Sequence, residues 1–275
     1  MSRYKRDLQK LMTYFGFLLR FLVIPIIVFL IIAWWDNKNN RVNPYFNNGK
    51  AVWIGILVHV ILAVVYTTPW DNYLVATGVW YYNPQLITGI VFGYVPIEEY
   101  TFFVLETILA GLWWWFLSRR MPEPKEEFKP SRVGRLVSFG ILFAMWAVFT
   151  YLFFFGDVRF TYLSIILFWA LPAIFPQFLY GADILWHYRR FVFTAIFVPG
   201  LYLSLMDIVA LTDTTWSISK EQTTNILFFG ILPLEEVLFF FITNILIGFG
   251  MTLLLSKLGA NRFAEWKANK YKGLP

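Results

Sequence analysis

The sequence predicts an all-α membrane protein of about seven transmembrane helices, built as two parallel three-helix repeats joined by an extra span. Composition is the first observation, because 59% of the 275 residues are hydrophobic and only 15% are charged, against about 25% charged in soluble domains. The second is that several apolar runs reach the roughly 18 residues of a membrane span. The third is that the two halves of the chain repeat each other.

The segments that we expect to span the membrane lie near residues 14–35, 51–68, 86–118, 134–155, 160–181, 191–211 and 225–256. The first follows a basic N-terminus, as in a signal peptide, but no small-residue cleavage site follows it, so we expect a retained helix. The third and seventh are longer than a hydrocarbon core of roughly 30 Å requires. Each contains a proline, Pro96 or Pro233, and we expect a kink or break there.

The repeat is clearest around two short motifs, VPIEEYTFF at 95–103 and LPLEEVLFF at 232–240. They align without gaps, and each is preceded by an Asp and a Trp that are nine residues apart. An extra span between the halves gives both the same orientation, about an axis along the membrane normal. The implied domains are a first repeat (1–118), a proline-containing cytoplasmic linker (119–133), a connecting span (134–155), a second repeat (156–256) and a basic tail (257–275).

Basic residues set the expected orientation of the chain. Sixteen of the 23 Lys and Arg residues lie on the side of the membrane that carries the C-terminus, which places that side in the cytoplasm. The basic N-terminus, on the other side, argues against this orientation. We expect an integral protein of a bacterial or archaeal plasma membrane, and the same loop bias explains the net charge of +6 without a nucleic-acid partner.

Residue content also argues against several kinds of site. The chain has no cysteine, which excludes thiolate chemistry, and its two histidines are far apart, which argues against a His-rich metal site. No G-x-G-x-x-G follows a strand, so no dinucleotide is expected. We therefore expect neither a metal nor a cofactor.

Two pairs of adjacent glutamates lie in apolar surroundings, Glu98 with Glu99 and Glu235 with Glu236. A proline followed by glutamate is a good helix start, because carboxylates favour the positive end of the helix dipole. However, an ionisable group inside a membrane segment is by default a functional-site hypothesis, and these pairs recur at equivalent positions of the repeat. We expect the glutamates to be catalytic, and a capping role can hold as well.

Helical phase divides each pair of glutamates. Seven residues return to nearly the same face of a helix, and Glu106 follows Glu99 by seven. Thr243 follows Glu236 by seven, and Asn244 comes next. We therefore favour Glu99 and Glu236 as the cavity residues and expect the other two glutamates to begin their helices.

A carboxyl group buried in an apolar cavity favours its neutral form and can act as a Brønsted acid at neutral pH. Asp71 and Asp207 end the predicted second and sixth spans, where they are either helix caps or part of this site. Aromatic faces can stabilise a cation, although membrane packing also explains many of the aromatic residues. The candidate supporting residues are Pro96, Pro233, Asp71, Asp207, Trp80, Phe102, Phe103, Glu106, Phe239, Phe240 and Asn244.

Two copies of P-[IL]-E-E followed by a Phe pair, with TTPWDNYLVATGVWYY upstream at 67–82, resemble the membrane-integral lycopene cyclase domain family. This is the small-subunit type of carotenoid cyclase. The resemblance covers about residues 50–250, and the linker falls where members of the family divide into two chains. The second half matches more loosely, because it lacks the PWDNY of residues 69–73. The family motif carries over onto both prolines and all four glutamates, without assigning acid and base.

The resemblance implies cyclisation of an acyclic carotenoid that is dissolved in the bilayer. An acid protonates the terminal double bond of lycopene, and an internal double bond attacks the tertiary cation. Loss of a proton then leaves a β- or ε-ring without net redox change, and a conjugate carboxylate can take that proton. Other enzymes of carotenoid biosynthesis are candidate partners.

A proton-coupled transporter or carrier of a hydrophobic solute is the alternative function, because repeats, broken helices and intramembrane acids also describe transporters. A hydrophobic tunnel open to lipid favours the cyclase, whereas a polar path to both aqueous faces favours transport. A retinal photoreceptor needs a lysine in its last span, and residues 225–255 contain none. A prenyl transferase needs an Asp-rich run for Mg²⁺, which the spans lack.

Overall fold

The computed structural model describes residues 12–272, with side chains up to residue 269. Seven helices in this range are long and apolar enough to cross a membrane, which confirms the predicted all-α membrane fold. Residues 1–11 lie outside the described residues. This segment belongs to the predicted first repeat, and its basic residues enter the orientation argument.

The spanning helices are α1 (Tyr14–Lys38), α2 (Lys50–Ala76), α3 (Ile97–Ser118), α4 (Arg132–Phe155), α5 (Thr161–His187), α6 (Arg189–Thr212) and α7 (Leu234–Leu255). A further helix, α8 (Lys257–Lys272), follows α7. The short strands are β1 (Trp80–Tyr82), β2 (Val91–Phe92), β3 (Val95–Pro96), β4 (Trp216–Ile218), β5 (Leu227–Phe228) and β6 (Leu232–Pro233).

The predicted third and seventh spans, 86–118 and 225–256, are wrong at their N-terminal ends. The helices begin directly after Pro96 and Pro233, and the apolar residues before each proline form the small hairpins β2–β3 and β5–β6. Both prolines have extended backbone at the N-cap position. The break predicted at each proline is therefore confirmed, and it separates a hairpin from a helix.

The second span is longer than predicted, since α2 continues through Pro69 to residue 76. A proline inside a membrane helix is tolerated where neighbouring groups satisfy the freed carbonyl. Asp71 consequently lies inside α2 and Asp207 inside α6, and other residues cap both helices. The suggestion that these aspartates are caps is therefore wrong, and a carboxylate near a helix C-terminus also opposes the helix dipole.

Strands β1 and β4 occupy equivalent places in the two repeats and pair antiparallel with each other. The paired residues are Trp80 with Ile218, Tyr81 with Ser217 and Tyr82 with Trp216. Because Trp80 and Trp216 are repeat equivalents, exchanging the two halves maps this ladder onto itself, as at an isologous interface. β1 closely follows α2 and β4 closely follows α6, so these two helices end at the same side of the bundle and run parallel.

Helix α1 contains a π-helical turn at Leu19–Val23. Tyr14 and Pro25 are eleven residues apart in α1, whereas Tyr162 and Pro172 are ten apart at the equivalent place in α5. A π turn accommodates one extra residue in a helix. The turn therefore brings the first helices of the two repeats back into register.

The central helices are α3 and α7, while α4 has no buried residue and packs on α5. At the end of the bundle away from the hairpins, buried Asp36 pairs with Arg119 and, at 2.7 Å, with Arg120. Asp183 pairs in the same way with Arg262 at 2.7 Å. In each repeat, an ion pair thus ties the first helix to the chain beyond the third.

Candidate active site

Three carboxyl groups line one small cavity between the strands and the first turns of α3 and α7. Its volume is about 20 Å³, which is room for roughly one water molecule. Glu99, Asp207 and Glu236 all contribute to its wall, and all three are buried. The other residues of this acid cavity are Ile218 and the aromatic residues Trp80, Tyr82, Phe102, Trp216, Phe239 and Phe240.

Each of the two cavity glutamates accepts a hydrogen bond from a buried tyrosine. The Tyr14 hydroxyl donates to Glu99 Oε2, and the Tyr162 hydroxyl donates to Glu236 Oε1 at 2.7 Å. The tyrosines lie in the first turn of the first helix of each repeat, and each follows a threonine in the sequence. Sequence reasoning missed both, although the repeated Thr-Tyr pair, with a proline ten or eleven residues later, was a usable signal.

The outer glutamates hold the loops that precede their helices. Glu98 Oε1 accepts the backbone N–H of Thr88 at 2.6 Å, and Glu235 Oε1 accepts that of Thr224 at 2.7 Å. Both side chains are fully buried, and neither lines the acid cavity. The division of each pair by helical phase therefore agrees with the geometry, while the catalytic role of the inner glutamates stays a prediction.

The two aspartates have different surroundings. The indole N–H of Trp216 donates to Asp207 Oδ1 at 2.8 Å, whereas neither oxygen of Asp71 has a hydrogen-bond partner among the described residues. Asp71 is buried close to the cavity without lining it. Burial raises the pKa of the Tyr82 hydroxyl, and the charges of Glu99 and Asp71 raise that pKa further.

A long apolar groove lies beside the acid cavity, between α2, α5 and the central helices. The part nearest the cavity has a volume of about 490 Å³, and a second part of about 680 Å³ continues it past Pro176, Gln177, Gly250 and Leu254. Phe239 lines both the acid cavity and this lipid-side groove. From Phe239 to Leu254 the groove follows α7 for fifteen residues, a rise of about 22 Å.

Glu106 and Thr243 meet on the wall of the lipid-side groove. The Thr243 hydroxyl donates to Glu106 Oε1 at 2.6 Å, and this bond joins α3 to α7 at equivalent positions of the two repeats. Asn244 is buried beside them, but its amide donates to the carbonyl of Phe240 at 2.8 Å and it does not line the groove. Glu106 and Asn244 were both predicted as supporting residues, and of these two Glu106 lines the groove and Asn244 does not.

Aromatic rings form the boundary between groove and cavity. Trp70 stacks on Phe239 with ring centroids 5.4 Å apart, and Trp80 meets Phe239 edge-on at 5.8 Å. Phe103 lines the groove rather than the acid cavity. The rings give the site a wall that can stabilise a cation. No group of three or more His, Asp or Glu side chains in the described part of the chain is arranged to hold a metal ion.

Known proteins resemble this chain over most of its length. A lycopene beta-cyclase of Halobacterium salinarum is 38% identical over 217 residues, which are 75% of this chain and 84% of the relative. A bifunctional lycopene cyclase/phytoene synthase of Podospora anserina is 34% identical, over 76% of this chain and 36% of the relative. One of Aspergillus oryzae is 29% identical, over 83% of this chain and 37% of the relative.

No family model and no solved structure matches the chain. The transporter alternative finds no support in these relatives, all of which carry cyclase names. The archaeal relative matches at an identity and coverage that establish common membership of one family. The chain belongs to the lycopene cyclase family.

Proposed function

We propose that this protein closes the ends of lycopene into β-rings by acid catalysis in the acid cavity. The observation that carries the proposal is the arrangement of Glu99, Asp207 and Glu236 around a space of one water molecule, next to an apolar groove. The names of the relatives support lycopene as substrate, and the name of the archaeal relative supports the β-ring as product. The same reaction on other acyclic carotenoids has the same chemical requirements.

The first step adds a proton to the terminal double bond and leaves a tertiary cation. Glu99 or Glu236 supplies that proton, because carboxyl groups that share a small buried site do not all ionise together. The tyrosine bond to each glutamate fixes the direction in which its carboxyl group points. Proton transfer from a positioned group of this kind contributes about 10²- to 10⁴-fold to a rate.

The second step closes the ring and the third releases a proton. An internal double bond attacks the tertiary cation, and the new cation loses a proton from a ring carbon to a carboxylate of the same cavity. One proton enters and one leaves, so the product is an isomer of the substrate and no redox partner is needed. The aromatic wall stabilises the cations, and the small volume limits access of water that would trap them.

The orientation of the chain in the membrane is inferred from the distribution of its basic residues. We propose that the C-terminus lies in the cytoplasm of a bacterium or archaeon, because sixteen of the 23 basic residues lie on that side and basic loops favour the cytoplasm. The acid cavity then lies near the opposite face of the plasma membrane, and the substrate reaches it from the bilayer. Association with other enzymes of carotenoid biosynthesis remains a prediction.

The orientation can be tested with single cysteines, because the native chain has none. Lys220 and Lys129 are both exposed, at opposite ends of the bundle. In intact cells, a membrane-impermeant maleimide should label Lys220→Cys, and it should label Lys129→Cys only after lysis. The reverse pattern would contradict the orientation.

The reaction can be tested in membranes from cells that express this chain, supplied with lycopene in D₂O. We expect cyclic product that carries one deuterium per ring, because the added proton comes from a solvent-exchangeable carboxyl group. Membranes from cells without the protein are the control. Failure to cyclise any of several acyclic carotenoids would overturn the function, and cyclic product without deuterium would overturn the protonation step.

A further inference from the structure

The lipid-side groove lies between the second helix of one repeat and the first helix of the other, and the third helices of both repeats also line it. Here α2 faces α5 and α7. By the symmetry of the repeats, an equivalent interface lies where α6 faces α1 and α3. The two interfaces can therefore be compared position by position.

The helix pairs at the two interfaces meet in the same way. The Tyr66 hydroxyl of α2 donates to the carbonyl of Trp169 in α5 at 2.7 Å. At the second interface the Tyr202 hydroxyl of α6 donates to the carbonyl of Phe21 in α1, also at 2.7 Å. The backbone framework of a groove is thus present twice.

The side chains that line the two interfaces differ. The gap-free alignment of α3 with α7 makes Trp113 the repeat equivalent of Gly250. The prolines of α1 and α5 align in the same way and make Phe29 the equivalent of Pro176. Gly250 and Pro176 both line the open groove. At the second interface, the indole N–H of Trp113 donates to the carbonyl of Thr194 in α6 at 3.2 Å.

The ring of Trp113 is packed on both sides at the second interface. It meets Phe29 of α1 edge-on at 5.9 Å and stacks on Phe116 at 5.4 Å. Its contacts therefore reach α1 and α6 at once. The space that forms the groove at the first interface is occupied here by aromatic side chains.

A side chain at residue 250 would require the lining of the groove to move. A Cβ atom there would lie 2.1 Å from Nε2 of His59, and the other ring nitrogen of His59 is bonded to the carbonyl of Gly55 at 2.7 Å. Glycine inside a helix is less stable than alanine, so its presence in α7 has a packing reason. That reason is the close approach of the His59 ring. Because His59 and Gly250 both line the groove, a larger side chain at residue 250 would push the ring, or itself, into the groove.

We propose that the lipid-side groove is the one binding site for the polyene, and that Gly250 keeps it open while Trp113 closes its symmetric counterpart. The inference rests on the proposed cyclase function and names the path by which its substrate binds. The exposed apolar side chains of Val58, Leu62 and Leu254 form a rim that lies toward the bilayer. The rise of about 22 Å along α7 suits a linear polyene whose end reaches Phe239 and the acid cavity.

One open groove means that one end of the substrate is processed at a time. Closing both rings then requires the half-cyclised chain to leave, turn and bind again. Glu106 and Thr243 lie on the wall of this groove, where Thr243 is four residues beyond Phe239, a rise of about 6 Å. They therefore contact the polyene close to the end that reaches the acid cavity.

The test compares tryptophans placed inside and outside the groove. Gly250→Trp should separate the two parts of the groove. Leu62→Trp should block it from α2, at a side chain that is 57% exposed and therefore tolerant of change. Leu57→Trp is the matched control, because Leu57 is on the same helix, is 58% exposed and does not line the groove. Each change is made in the otherwise unaltered chain and in a Glu236→Gln background.

Two readouts are taken for every variant, the rate of lycopene cyclisation and the lycopene that copurifies with the protein in nanodiscs. We expect both blocking variants to lose at least about tenfold in rate and most of the bound pigment, while Leu57→Trp keeps both. Glu236→Gln alone should keep the pigment. Retention of pigment and rate by folded Leu62→Trp would overturn the groove assignment. A different result is that the parent protein binds lycopene without cyclising it and the blocking variants lose that pigment. This would overturn the proposed function and support the groove assignment.

Discussion

The two repeats agree most closely around their glutamate pairs. Glu99 and Glu236 each accept a hydrogen bond from the tyrosine in the first turn of the first helix of their repeat. The outer glutamate in each repeat accepts a backbone N–H from the loop before it. A buried tyrosine and a backbone amide therefore fix the two carboxyl groups of each pair separately.

The repeats differ in the hydrogen bonding of their aspartates and in the side chains at the interfaces between them. Asp207 is bonded to Trp216, while Asp71 has no such bond to Trp80. One interface between the repeats is an open groove and the other is filled by Trp113. The comparison teaches that the fold duplicates the means of holding an acid, whereas access to that acid is provided on one side.

The largest effect is expected from Glu99→Gln and Glu236→Gln. The amide is nearly the same size and keeps an acceptor for the tyrosine, but it cannot act as a general acid or base at neutral pH. Each variant should lower the cyclisation rate by at least about 100-fold, the lower end of the range for a general acid or base. Product analysis by chromatography, with the amount of folded protein as reference, measures the loss. Undiminished cyclisation in both variants would remove the glutamates from the mechanism.

The next largest effect is expected from the tyrosine variants, which test whether the two repeats contribute equally to catalysis. Tyr14→Phe and Tyr162→Phe each remove one donor to a glutamate. A hydrogen bond to a charged group contributes about 1.5–3 kcal/mol, which corresponds to roughly 10- to 100-fold in rate. Unequal losses would identify the glutamate that has to carry the negative charge.

Steady-state rates separate a loss in kcat from a change in KM for these tyrosine variants. A purely structural role would lower the thermal stability of both proteins and leave the rate of the folded fraction unchanged. That result would contradict the assignment of Tyr14 and Tyr162 as residues that position the acids.

Sequence patterns predicted the seven spans, the repeat and the division of each glutamate pair. They failed at residues 86–96 and 225–233, because hydropathy does not distinguish an apolar hairpin from the start of a helix. They also failed for Tyr14, since a tyrosine at the start of a span is equally typical of an interfacial anchor. The groove depends on Gly250 and on helices distant in sequence, and no local pattern encodes that contact.

A smaller effect on activity and a clear effect on stability are expected from the outer glutamates. Glu98→Ala and Glu235→Ala each leave a loop amide, that of Thr88 or Thr224, without its acceptor. An unsatisfied buried amide costs about 1–3 kcal/mol, so thermal unfolding in detergent should begin at a lower temperature. The rate of the folded fraction should change far less than in Glu99→Gln. A loss of rate as large as that of Glu99→Gln, with unchanged stability, would mean that the outer pair takes part in proton transfer.

The smallest effect is expected at the tryptophans that distinguish the two aspartates. Trp216→Phe removes the donor to Asp207 and leaves that buried carboxyl group without its bond at 2.8 Å. Trp80→Phe removes no bond to Asp71 and keeps an aromatic ring against Phe239. We therefore expect Trp216→Phe to lower the free energy of unfolding by about 1 kcal/mol more than Trp80→Phe, the usual net value of one hydrogen bond. Parallel unfolding measurements on both proteins provide the comparison. Equal losses would show that the two aspartates are held alike in the membrane, which would leave the open groove as the main difference between the repeats.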